Sequence, residues 1–190
     1  MQFIDIAKSK KNNFRLTKKG KYVFFMHNLS GKVVIELNGS GIDCQIYGLY
    51  VGKGKDNFQL KTIQHHNAPG STSNLLVKGV FYDESRFIHE GLIRIEKKAQ
   101  KSKAYQKNQN IIMSDRCFVD SRPFLEILAN DVFCTHGSTT GKLNKEQLYY
   151  LGTRGVENKQ AEKLLLDGFI NEIFTKIKED VPNFQLENAQ

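Results

Sequence analysis

The sequence predicts a mainly β chain whose short strands stack into a coil, followed by C-terminal α-helices. Three observations carry that expectation. From Tyr22 to about Leu143, short runs that alternate apolar and polar residues start roughly every 10 to 15 residues. The two-residue hairpin signal is nearly lacking between them, Asn38-Gly39 being the one clear case. After Leu143 the spacing of apolar residues becomes helical.

In chain order, strands are expected at 21–28, 31–39, 44–54, 58–66, 73–83, 86–96, 108–115, 117–128 and 131–141. No 3.6-residue amphipathic pattern interrupts them, so the crossover helices of an α/β fold are not expected. A sandwich, a closed barrel and a β-solenoid all fit such strands, and bends in place of hairpins favour the solenoid. Its open ends need a cover, its own or a partner's.

The domain boundaries follow: a basic N-terminal arm at 1–21, a β core at 22–143 and a helical region at 144–190. Asn144-Lys-Glu-Gln147 is a capping-box variant opening a short helix that Gly152 and Gly155 stop. A longer helix is expected from about Asn158 to Lys178. Its apolar stripe through Ala161, Leu165, Phe169, Ile173 and Ile177 is widened by Leu164, Leu166, Ile170 and Phe174. The stripe reads equally as core and as a surface for a partner. The tail after Pro182 is expected to be loose.

Composition narrows the function classes. The 190 residues are 39% hydrophobic with mean hydropathy −0.46, and no apolar run approaches a membrane span of about 18 residues. No signal peptide is expected. Three widely spaced cysteines, an odd count, favour reduced thiols and a cytoplasmic setting over a disulfide framework. The net charge of +8 is concentrated in residues 1–21, where seven basic side chains face Asp5 alone. With no interleaved aromatic residues, a solvated segment is favoured there over a nucleic-acid contact. The basic stretch 96–107 is read the same way, as a solvated turn region.

No phosphate-binding loop, nucleophile elbow or HExxH helix is present. What remains is Cys134-Thr-His136-Gly137. On a strand Cys134 and His136 leave the same face, and a thiolate beside an imidazole suits iron, zinc or an iron–sulfur unit. Two donors do not complete a site, so further ligands must come from elsewhere in the chain or from another subunit. Cys134 alone reads as well as a small core residue, and His136 as a hydrogen-bonded structural one. His65, His66 and His89 are read as structural. Asp115, Asp120, Glu126 and Asp131 are expected to bond backbone amides at turns.

Residues 75–156 carry a resemblance. AYQKNQN, VDSRPFLEI, DVFCTHG, GKLNKEQLYYLGTRG and the amphipathic helix ending in Gly168-Phe169 resemble the SufB/SufD family of iron–sulfur cluster assembly proteins, the SufD branch above SufB. The resemblance implies a right-handed parallel β-helix followed by C-terminal helices. It implies a non-enzymatic scaffold for a nascent cluster, working with a SufB-like subunit and the ATPase SufC. It matches His136 and Cys134 to the SufD histidine and its neighbouring cysteine. The SufB cysteine and glutamate fall on Asn108 and Gly137, so a SufB-like site cannot be assembled from this chain alone. No cofactor is expected to be held stably by the chain itself; a transient cluster would be shared with a partner. The family's SufC contact gives the helical stripe, Leu166, Phe169, Ile170, Ile173 and Phe174, a purpose. The competing reading is a β-helix interaction module, self-associating, with no cluster role.

Overall fold

A computed structural model describes residues 1–184 and divides the chain into two compact units, Met1–Lys142 and the part from Leu143 on. The first unit runs β1 (Gln2–Asp5), α1 (Ile6–Ser9), β2 (Asn13–Leu16), β3 (Gly20–His27), β4 (Gly31–Leu37), β5 (Ile42–Gly52) and β6 (Asn57–His66). It continues with β7 (Thr72–Phe81), β8 (Arg86–Ile95), β9 (Lys103–Ile112), β10 (Phe118–Ile127) and β11 (Phe133–Gly141). Odd-numbered strands form one sheet, in the order β1-β3-β5-β7-β9-β11, and even-numbered strands the other, β10-β8-β6-β4-β2. Among the described residues every pairing is parallel. The unit is a parallel β-solenoid of between five and six turns with two strands per turn. Cys44, Ser73, Ala104 and Cys134 are successive rungs of one column, about 30 residues apart.

Consecutive strands belong to different sheets, so each bend turns a corner without reversing direction. This explains the missing hairpin signals. Asn38-Gly39 makes no hairpin: it carries the chain from β4 round to β5, and a Cβ on Gly39 would strike the Thr17 carbonyl. Residues 1–21 supply β1, α1 and β2, which pair with β3 and β4. Asp5 caps α1, its carboxylate accepting from the N–H groups of Ala7 and Lys8 at 3.0 and 3.3 Å. Strand β9 begins at Lys103 and not at 108, which corrects the reading of 96–107 as wholly turn. Its ladder with β7 runs from Lys103 opposite Thr72 to Ile112 opposite Phe81, so the match in strand length sets its start.

Alternate residues of each strand point into the coil. The early turns fill it with apolar side chains, among them Phe24, Met26, Val33, Ile35, Leu37, Ile46 and Leu60, all 2% exposed or less. Each such side chain contributes about 1.5–3 kcal/mol by leaving water. An aromatic stack continues them: Tyr50 to Phe87 at 4.6 Å and Phe87 to Phe81 at 5.2 Å between ring centroids. The buried Tyr50 hydroxyl is satisfied, donating to Leu29 O at 2.7 Å.

The second unit holds α2 (Lys145–Thr153) and α3 (Asn158–Asp180). Asn144 caps α2 through Oδ1, which accepts from Glu146 and Gln147 N–H at 2.8 and 3.2 Å. The return bond from the Gln147 side chain is not made, so the capping box is one-sided. Gly152 is taken into the helix, and Gly155, at φ +80°, ends the turn that follows. Phe184 stacks on Phe174 with centroids 6.3 Å apart. The rest of the tail expected to be loose lies outside the described residues.

Candidate functional site: the terminal rung of the coil

Cys134 and His136 sit on β11, the last strand of its sheet, with β10 the last of the other. The register sets Cys134 beside Ala104, His136 beside Gln106, Ser138 beside Asn108 and Thr140 beside Asn110. Those four β9 residues point into the coil and are at most 4% exposed. The β11 residues therefore face the same interior, but from its final rung. His136, Ser138 and Thr140 are exposed there, because no further strand stacks on β11 among the described residues.

The two donors have different surroundings. Cys134 is half-buried against a small apolar cluster of Ile93, Ile95, Ala99, Ala104 and Ala129. Burial pushes its thiol up to about 11, so it is protonated at neutral pH and a metal must displace the proton. His136 has no hydrogen-bond partner among the described residues, and its ring is free to take one from outside. No group of three or more His, Cys, Asp or Glu side chains able to hold a metal occurs among the described residues. Cys134 and His136 thus offer two donor atoms, where a tetrahedral metal site takes four.

Behind this rung the interior is polar. Asn108 Nδ2 donates to His89 Nδ1 at 3.2 Å and to Ser121 Oγ at 2.9 Å. With Nδ1 accepting, His89 carries its proton on Nε2, which lies 3.0 Å from Thr62 Oγ1. Burial lowers His89 to about 4, so the ring is neutral. His66, also lowered to about 4 by burial and then by its neighbour His65, bonds Ser73 Oγ at 2.8 Å. Gln106 Nε2 donates to Gly91 O at 3.0 Å, and a Cβ on Gly91 would meet the Gln106 amide oxygen at 2.5 Å. Thus Gly91 makes the room that Gln106 fills. Gln64, and the amide oxygens of Gln106, Asn108 and Asn110, are buried without a hydrogen-bond partner.

The sequence did not disclose this polar network. In AYQKNQN both faces of the strand are polar, so hydrophobic alternation could not tell which residues point inward. The structural reading of His66 and His89 fits their burial, and His65 faces outward to Glu96 at 2.9 Å. The acids expected at turns behave otherwise. Asp115 pairs with Lys142 at 2.5 Å, Asp120 with Arg122, and Glu126 with Arg94 at 3.3 Å, so cations and not backbone amides take them. Both acids lie within β10: the β8 register sets Arg94 opposite Glu126, while Arg122 follows Asp120 by two residues on the same strand and the same face.

The terminal strands also carry exposed apolar side chains: Phe124, Leu125, Leu128 and Phe133 are 40–64% exposed. On α3, Leu166 and Ile173 are buried, while Phe169, Ile170 and Phe174 are half-buried. The freely exposed apolar residues of the second unit are Tyr149, Tyr150 and Leu164. Glu146, Gln147, Tyr150, Leu151 and Leu165 line a cavity of about 380 Å³ between α2 and α3. No helix is long and apolar enough to cross a membrane among the described residues.

Residues 5–169 match the family model for the SUF system FeS cluster assembly, SufBD core domain. The chain belongs to the SufBD core family. It is 30% identical over 154 residues to the iron–sulfur cluster assembly protein SufD of Escherichia coli (strain K12), covering 81% of this chain and 36% of that protein. It is 30% identical over 141 residues to SufD of Bacillus subtilis (strain 168), covering 74% of this chain and 32% of that protein. A SufBD family protein of Mycobacterium leprae (strain TN) is 30% identical over 162 residues, covering 78% and 41%. The chain thus spans about a third to two fifths of the length of these relatives. Its similarity is to SufD-like iron–sulfur cluster assembly proteins.

Proposed function

We propose that this protein is a SufD-like scaffold subunit on which a nascent iron–sulfur cluster is assembled together with a SufB-like subunit and a SufC-like ATPase. The observation that carries the reading is the placement of Cys134 and His136. They are side by side on the inner face of the final rung at an open sheet edge, His136 exposed and Cys134 half-buried, and short of ligands. A second coil docked on β10 and β11 would add strands to both open edges, cover Phe124, Leu125, Leu128 and Phe133, and bring the missing donors. The cluster is cargo here. His136 would offer an imidazole nitrogen, and Cys134 a sulfur whose proton leaves as iron binds. The helical unit, with its apolar cavity beside Tyr150, is where the ATPase would dock. Hydrolysis would belong to that partner, because this chain has no phosphate-binding loop.

The test is co-production with SufB- and SufC-like proteins, followed by iron and sulfide determination on the purified complex. His136→Ala is expected to lower cluster content several-fold while leaving the melting temperature unchanged, since His136 is exposed and bonds nothing among the described residues. Unchanged cluster content would remove the site. A complex with neither partner, together with homodimers in solution, would instead favour an interaction module without a cluster role. The exposed apolar residues of β10 and β11 fit that reading too.

A further inference from the structure

The opposite end of the first unit holds a different kind of site. A cleft of about 280 Å³ opens between the α1–β2 bend and the start of β4. Its floor is apolar, built from Ile6, Leu29 and Val33, and its rim carries Lys10, Lys11 and Lys32. Asn13 stands opposite Val34 in the β2–β4 ladder, and Lys11 and Lys32 each come two residues before that pair. The Val34 N–H bond to Asn12 O, 2.7 Å, fixes that pairing. Lys10, at φ +54°, caps α1 in the left-handed region, so its backbone is held by the turn.

Like charges on neighbouring strands repel. Elsewhere on this face the repulsion is relieved: Lys61, the next residue of the Lys32 column, pairs with Glu90 at 3.2 Å. Lys10, Lys11 and Lys32 have no carboxylate partner among the described residues. The nearest acid in sequence, Asp5, is engaged in capping α1. Three lysines without a carboxylate partner among the described residues therefore line one concavity that also has an apolar lining.

We propose that this cleft binds a small phosphate-bearing anion, its charge held by Lys10, Lys11 and Lys32. Its volume lies at the lower edge of the ~300–1,000 Å³ of ligand pockets, which suits inorganic phosphate or a small phosphate ester. An extended nucleic acid is disfavoured, because no aromatic side chain lines the cleft to stack a base. The inference goes beyond cluster assembly and stands or falls separately from it.

The test uses the full chain, titrated with sodium phosphate, phenyl phosphate and a short single-stranded oligonucleotide against sodium chloride of equal ionic strength. Phosphate is expected to give saturable amide shifts centred on residues 10–12 and 30–33 and to raise the melting temperature. Lys32→Glu should raise the melting temperature in chloride, where it turns repulsion from Lys11 into attraction. The same change should weaken phosphate binding at least tenfold, and a merely structural lysine would not couple the two. Tighter binding of phenyl phosphate assigns an organic ester that uses the apolar floor; equal binding assigns inorganic phosphate. Absence of saturable phosphate binding, equal affinity in Lys32→Glu, or binding of the oligonucleotide alone each overturns the proposal.

Discussion

Strands β3 to β5 and strands β9 to β11 obey one backbone plan and fill it with opposite chemistry. Follow one column of the odd-numbered sheet: Ile46 and Leu75 give way to Gln106 and then His136. In the next column Gly48 and Val77 give way to Asn108 and Ser138. The apolar end can hold itself together by excluding water. At the polar end each buried group needs a partner, and some atoms have none. The difference teaches where the fold resides and where the site resides. Stability comes from turns that need nothing further, while the final rung is left with donors that a second molecule could complete.

The largest expected effect breaks the apolar end. Phe87, fully buried, stacks on both Tyr50 and Phe81 and closes the aromatic column of the coil. Phe87→Ala should destabilise the protein by about 3–5 kcal/mol, the range for emptying an aromatic site in a close-packed core. Denaturant unfolding followed by circular dichroism measures it. A loss below about 1 kcal/mol would show that the early turns are not the main support of the coil.

A pH scan addresses the polar end. His66 and His89 have folded values of about 4 against an ordinary 6.5, burial being the main cause in both. The unfolded chain therefore takes up protons first as pH falls. The stability associated with these neutral rings is complete above about pH 6.5 and is lost between there and about pH 4. The loss is at most about 3.5 kcal/mol for each ring, at about 1.4 kcal/mol per pH unit. Thermal unfolding between pH 7 and pH 4 reads the slope. In His89→Gln one ring's share should vanish, and a slope equal to wild type would mean that His89 does not stay neutral in the fold.

The strands are legible in the sequence, while the polar filling of the later turns is not. Period-two alternation gave the strands of the apolar half, and the absence of hairpin signals pointed to a coil. The short N-terminal strands were hidden because their few apolar residues, Phe3, Ile4, Phe14 and Leu16, are outnumbered by exposed lysines at bends. Cys134 and His136 share a face by spacing alone. That this face is the inside of the last rung depends on strand order and a register of about 30 residues, which no local pattern encodes. The partners of Glu126 and Asn108 come from distant strands, so local turn chemistry misplaced that acid and passed over the amide, whereas Asp120 takes Arg122 two residues along its own strand.

The smallest predicted effect sharpens the boundary between the two ends. Gln64 stands in a column between Ile35 and Ile93, 1% exposed, with neither amide atom bonded. It is a polar residue placed where the apolar filling would otherwise continue. An unpaired buried amide costs about 1–3 kcal/mol, and an apolar side chain of similar shape removes that penalty. Gln64→Leu should therefore stabilise the protein by about 1 kcal/mol in denaturant unfolding, extending the apolar column by one rung. Because Gln64 lies two turns from β11, cluster content measured beside His136→Ala should stay at the wild-type level. A loss of stability would show that the amide is satisfied by water inside the coil, which would move the start of the hydrated interior back from β8 to β6.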